Sequence, residues 1–138
     1  MKFAATIVVC EDGFEYIERF RRFVPGFEFI RAGHFAEALA LAPGAAALLL
    51  DQDFRRTPRE LLVDALGSHS PDALAEVQGI LILRALRSRG VALPALLFAD
   101  LDDIDRVTRL ERELTPLNIV TSSEGLPQLA ARLRAFQP

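Results

Sequence analysis

The sequence is poor in the features that mark several common classes of protein. It has a single cysteine, Cys10, so no disulfide can form within the chain, and the thiol's place in an apolar run predicts a small buried hydrophobe. It has no basic block, and its formal net charge is -3, so the electrostatic footprint of a nucleic-acid binder is missing. The amino-terminal apolar run from Phe3 to Cys10 is too short to span a bilayer and meets Glu11. It also lacks the cleavage site of a secretory signal, which leads to the expectation of a cytoplasmic protein without membrane contact. No G-x-G-x-x-G follows the first apolar run, no G-x-x-x-x-G-K-[ST] occurs, and no Ser-His-Asp set can be assembled. These absences count against a flavodoxin-like or nucleotide-using enzyme. With no repeat, low-complexity tract or linker, residues 1–138 are expected to form one domain.

What is present is organised around Ala45-Ala46-Ala47-Leu48-Leu49-Leu50-Asp51-Gln52-Asp53-Phe54, an apolar run that drives into an acidic residue. An uninterrupted run of this kind reads as a strand buried on both faces of a parallel sheet. The carboxyl ends of such strands form the crevice where ligands bind, which places Asp51 at that edge. Glu11-Asp12, which closes the first apolar run, and the polar stop after the last should converge on the same edge.

Taken in order, strands are expected at Phe3–Cys10, Phe27–Ile30, the run ending at Asp51, Ala95–Ala99 and Leu117–Thr121. Helical spacing falls between them: Phe14, Ile17, Phe20 and Phe23 or Val24; Phe35 to Ala42; Ile104, Val107, Leu110 and Leu114; and Leu126, Leu129, Leu133 and Phe136. Thr57-Pro58-Arg59-Glu60 carries a threonine cap, a first-turn proline and a capping-box glutamate, which predicts a short helix over Pro58–Leu66. A longer helix is expected from Ser70-Pro71-Asp72 to about Arg89, stopping at Gly90. Its Ile80-Leu81-Ile82-Leu83 cannot all face one sheet, so the helix over Pro58–Leu66 or a homodimer partner should cover the far side. Strand alternating with helix throughout implies a doubly wound α/β fold, a five-stranded parallel sheet with right-handed crossovers and helices on both faces.

In order and spacing, the chain resembles the receiver domain of two-component response regulators across nearly its whole length. The resemblance rests on Glu11-Asp12 after the first strand, Asp51 at the end of the third, Gly79-Ile80-Leu81-Ile82-Leu83-Arg84-Ala85-Leu86-Arg87, which looks like the family's third helix, and Leu129–Phe136, which looks like its last. It implies the flavodoxin-like strand order 2-1-3-4-5, Asp51 as phospho-acceptor, and a Mg²⁺ ion held by Glu11, Asp12, Asp51 and the backbone carbonyl of Asp53. It also implies a signalling role without catalysis of its own, with a sensor kinase or a downstream signalling protein as partner. Three positions depart from the family. Ala99 stands where a serine or threonine contacts the phosphoryl group, Ile119 where an aromatic side chain switches rotamer, and Ser122 where a lysine is expected. The stretch after Asp51 is longer than usual by about two helical turns plus a loop. The ion-binding half of the pocket is thus kept and the switch half lost, the pattern of an atypical receiver or pseudo-receiver.

Phosphoryl transfer to Asp51 would use the ion to neutralise charge on the phosphoryl oxygens. Crowded carboxylates without such an ion should leave at least one with a raised pKa. Arg55 or Arg56 could replace the missing lysine, although solvated arginines are the commoner outcome. His34 and His69 read as turn residues remote from Asp51, and Asp100, Asp102 and Asp103 as an acidic helix start beside the crevice. Two modes follow: regulation through Asp51, or a degenerate receiver that binds its partner without phosphorylation; a third possibility is a scaffold whose inserted helix Pro58–Leu66 is the docking surface.

Overall fold

A computed structural model of the chain describes residues 5–64, 71–121 and 126–135. Within them lie β1 (Ala5–Cys10), α1 (Glu15–Phe23), β2 (Phe27–Ala32), α2 (Phe35–Leu41), β3 (Ala47–Asp51), α3 (Pro71–Glu76), α4 (Gln78–Ser88), β4 (Ala95–Phe98), α5 (Ile104–Glu113), β5 (Leu117–Val120) and α6 (Leu126–Arg134). The strands form one five-stranded parallel sheet in the order β2-β1-β3-β4-β5. This is the doubly wound, flavodoxin-like arrangement expected from the sequence.

The alternation of strand side chains divides the core in two. Ile7, Val9, Ala47, Leu49, Leu96, Phe98 and Val120 pack with Ile17 and Phe20 of α1 and Leu129 and Leu133 of α6. Val8, Cys10, Leu48, Leu50, Ala95 and Leu97 pack on the other face with Ala38 of α2, Ile80, Leu83 and Leu86 of α4, and Leu110 of α5. The central strands β1 and β3 are buried on both sides, the environment that near-continuous apolar runs require. Gly90 closes α4 with a positive φ of 85°, and the amide of Val91 returns to the Leu86 carbonyl at 3.1 Å, the bond that seals a helix end by a left-handed residue.

Three expectations change. Phe14 and Ile104, expected in apolar helix stripes, are exposed, with Arg31 stacked over the Phe14 ring at 4.2 Å; of the alternatives Phe23 and Val24, Val24 is buried and Phe23 exposed, with Arg22 near its ring at 5.3 Å. The helix expected over Pro58–Leu66 is a single 3₁₀ turn, Arg59–Leu61, after which Leu62 is extended; residues 65 and 66 lie outside the described residues. Thr57 makes no cap, and its hydroxyl faces the Gly33 carbonyl at 3.4 Å. The reason is tertiary. The side chain of Gln78, fully buried, accepts from the Val63 amide at 2.6 Å and donates to the Val63 carbonyl at 3.2 Å, holding that residue outside any helix. Leu62 and Val63 still pack on the α4 side of the core, so the cover sought for Ile80–Leu83 comes partly from this segment as extended chain.

The long helix expected up to Arg89 is likewise broken, at Val77, into α3 and α4. The chain after β3 takes over its hydrogen bonds. The Phe54 amide donates to the Ala75 carbonyl at 2.9 Å, and the Gly79 amide donates to the Gln52 carbonyl at 3.0 Å. The backbone of residues 52–54 therefore sits where the helix would have continued its own ladder. Gly79 permits this approach, because a Cβ there would collide with the backbone carbonyl of Asp51.

Candidate functional site: the acidic edge of the sheet

The carboxyl ends of β1, β3 and β4 bring Glu11, Asp12, Asp51 and Ala99 to one edge, as the apolar runs predict. A cleft of about 460 Å³ opens there, lined by Tyr16, Asp51, Arg55, Phe98, Ala99 and Arg106 among others. Tyr16 lies flat on Phe98, with ring centroids 4.9 Å apart and planes 4° from parallel.

The acids meet at the edge but serve different elements. Glu11 is 1% exposed, and its two carboxylate oxygens accept from the amides of Tyr16 at 3.1 Å and Ile17 at 2.8 Å. These are unsatisfied donors of the first turn of α1, and Phe14 at the cap position offers no side-chain acceptor. Glu11 is thus the cap of α1 supplied from the end of β1, where a carboxylate also suits the positive end of the helix. Burial raises its pKa, against the lowering effect of the two amide bonds.

Asp12 points to the segment after β3. Its Oδ2 accepts from the Arg56 amide at 2.8 Å and its Oδ1 from Arg56 Nη2 at 3.1 Å. The same guanidinium makes two bonds to Glu15, at 2.7 and 3.1 Å. This pairing holds the Glu15 carboxyl down to about 2, the side-chain bond to Arg56 being the main cause. Arg55 pairs with Asp53 at 2.9 Å and lies 3.4 Å from Glu76. Both arginines stay largely exposed, as expected of solvated side chains, and each also pairs with a carboxylate because the chain beyond Asp51 folds back over the acidic edge.

Asp51 itself is half-buried, with Oδ1 accepting from the Gln52 amide at 2.8 Å. Its pKa is raised to about 6, first by burial and then by the charge of Asp12. The expected raised carboxyl is found, but loss of solvent contributes more than crowding. Cys10, immediately before Glu11, is buried, and burial pushes its thiol up to about 12, which leaves it an inert core residue.

Six-coordinate Mg²⁺ needs free oxygen donors facing one point. Here both Glu11 oxygens accept from α1 amides, both Asp12 oxygens from Arg56, and Asp51 Oδ1 from the Gln52 amide. Among the described residues no group of three or more His, Cys, Asp or Glu is placed to hold a metal ion. The donor set implied by the family resemblance is gathered at one edge but does not converge, so these residues as arranged do not fit the ion.

In the far half of the edge the described switch positions are apolar. Ala99 is buried, and its amide donates to the Val120 carbonyl at 3.0 Å. Ile119 packs against the core beside α5, and its amide donates to Glu111 at 2.9 Å. Ser122 lies outside the described residues, as does His69. The chain's only lysine is Lys2, also outside them. His34 begins α2, with Nε2 3.2 Å from Glu37, and does not line the cleft. Asp103 caps α5, accepting from the amides of Asp105 and Arg106 at 3.0 and 3.2 Å, which is the helix-start role expected for that acidic run. Sequence reasoning missed Gln78 and the part played by Gly13 beneath Arg56. A glutamine in an otherwise apolar helix start was the available signal for the first.

No protein-family model and no curated protein sequence matches the chain. Solved structures do. The receiver domain of the Francisella response regulator 1452 superposes with a TM-score of 0.69 at 15% identity, covering 96% of this chain and 95% of that one. The chemotaxis protein CheY4 of Vibrio cholerae gives 0.68 at 13% identity, over 98% and 100%. A CheY-like response-regulator receiver domain protein from Methanospirillum hungatei gives 0.62 at 12%, over 96% and 93%. The chain has the fold of CheY-like receiver domains, a likeness of architecture that spans nearly its full length.

Proposed function

We propose that the chain is a receiver-fold signalling module that binds a protein partner in one standing conformation and is not switched by phosphorylation of Asp51. The partner is a sensor kinase or a downstream signalling protein, and the module performs no catalysis of its own. The observation that carries this reading is the far half of the edge. A ligand shifts a conformational equilibrium only through contacts that differ between the two states. At Ala99 a phosphoryl oxygen would find a buried methyl group instead of a hydroxyl, and at Ile119 no ring exists to change places. No lysine among the described residues could reach the group either. The receiver architecture supports a role in two-component signalling, with the acidic edge of the sheet as the surface for it. Among the described residues no helix is long and apolar enough to cross a membrane.

Incubation with acetyl phosphate and Mg²⁺, followed by intact-mass spectrometry, tests the reading. The wild type and Asp51→Asn should both keep their unmodified mass. A phosphoryl increment on the wild type that is absent from Asp51→Asn would overturn it and restore regulation through Asp51.

A further inference from the structure

We propose that Arg56 is the built-in cation of the acidic edge: its guanidinium takes the place on Asp12 that a divalent ion would need, so the wild-type pocket neither requires nor admits one. The inference deepens the functional reading above, since it concerns the same pocket. It stands on geometry near β1 and not on the switch positions.

Asp12 is almost fully buried, with a side chain only 5% exposed. A carboxylate in that position needs a compensating charge. Arg56 supplies it from an exposed position, and two bonds to Glu15 aim the planar guanidinium, so that Nη2 also donates to Asp12 Oδ1. The path is cleared by Gly13. A Cβ at that position would collide with the Arg56 guanidinium and with Glu15. Both are tips of flexible side chains, so glycine eases this placement of the guanidinium and does not by itself fix it. Because the arginine is tethered, it competes with any free ion at a fixed, high effective concentration. Occupancy by the two cations is mutually exclusive, since both need Asp12 Oδ1.

The test uses Tb³⁺ luminescence, with Mg²⁺ as competitor. Tyr16 is the chain's only tyrosine and the chain has no tryptophan, so sensitised emission reports an ion near Tyr16. Tyr16 shares a cavity with Asp51, Glu15 and Arg56. The wild type should show weak emission. Arg56→Ala should bind Tb³⁺ about tenfold more tightly, within the usual range for coupling between competing ligands. Mg²⁺ should displace it, and adding Asp12→Asn should abolish the gain. Gly13→Ala, which displaces the guanidinium while keeping its charge in the chain, should move in the same direction, and it decides the matter if Arg56→Ala is not folded by circular dichroism. Equal Tb³⁺ affinity in wild type and variants would overturn the inference. So would a gain that survives Asp12→Asn. No phosphoryl donor is present, so an ion bound by the wild type would sink this inference and leave the mass-spectrometric result on Asp51 standing.

Discussion

The two halves of the sheet's acidic edge are built on opposite plans. The half formed by β1, β3 and the segment that follows is crowded with charge, and nearly every polar atom in it has a partner. Glu11 caps α1, Arg56 bridges Asp12 and Glu15, and residues 52–54 are stitched into the break between α3 and α4. In the half formed by β4 and β5 the switch positions hold a buried alanine and an isoleucine, and the cleft is lined from both halves, by Asp51, Asp53 and Arg55 as well as Phe98, Asp100 and Arg106. A pocket that answers to a ligand needs groups free to change partners. In this chain most carboxylate oxygens of the first half are already engaged, and the family's switch positions described in the second, Ala99 and Ile119, are apolar. The difference teaches that where the switch positions are apolar the charged half is still held by its own chain, through Arg56 on Asp12 and Glu15.

The tightest tie should be Gln78. Replacing it with alanine leaves the Val63 amide and carbonyl without their partner, and the loss expected is about 2–3 kcal/mol in urea-induced unfolding. Faster amide exchange should be confined to residues near Val63. A loss below about 1 kcal/mol would mean that water satisfies those groups and that the segment is held by its apolar contacts alone.

Next comes Gly79→Ala. The new methyl meets backbone, not a flexible side chain, so it must push α4 away from Asp51; the expected cost is about 2 kcal/mol, the ordinary range for overpacking. An unchanged melting temperature would show that the close approach of α4 to β3 is not a tight constraint, and the comparison between the halves would weaken.

Smaller, and opposite in sign, is Asp51→Asn. The folded carboxyl titrates near 6 against an ordinary 3.8, so the native state holds this proton more tightly than the unfolded chain does. Its contribution to stability is fully present below the ordinary value and is lost as pH rises through about 6. Glu11, raised in the same direction, adds to this slope, whereas Glu15 opposes it only at lower pH, as its carboxyl protonates near 2. At neutral pH the asparagine, which can still accept from the Gln52 amide, should be more stable by about 1 kcal/mol once solvent screening of the half-buried carboxyl is allowed for. The gain should vanish toward pH 4. A gain that does not change with pH would assign it to packing instead of charge.

Much of the fold was legible because it rests on short-range pattern. Apolar runs such as Ala47–Leu50 and Ile7–Val9 allow little besides buried strands, and glycine at 90 ended α4 as expected. The meeting of Glu11, Asp12 and Asp51 at one edge follows from the polar stops that end those runs. What was not legible was which way each acid turns. Glu11 and Asp12 are neighbours in sequence, yet one serves the helix that follows it and the other an arginine far along the chain. The helix signals at Thr57–Glu60 were genuine local preferences, and a buried glutamine outweighed them.

By itself, then, the sequence determined the alternation of strand and helix, the two-sided burial of β1 and β3, and the gathering of acids at their carboxyl ends, because periodicity and chain breaks act over a few residues. Only the tertiary structure decided that Arg56 would sit on Asp12, that Gln78 would hold Val63 out of a helix, and that residues 52–54 would divide α3 from α4. Each of those depends on a hydrogen-bonding group finding its partner across the fold, and no local pattern specifies such a choice.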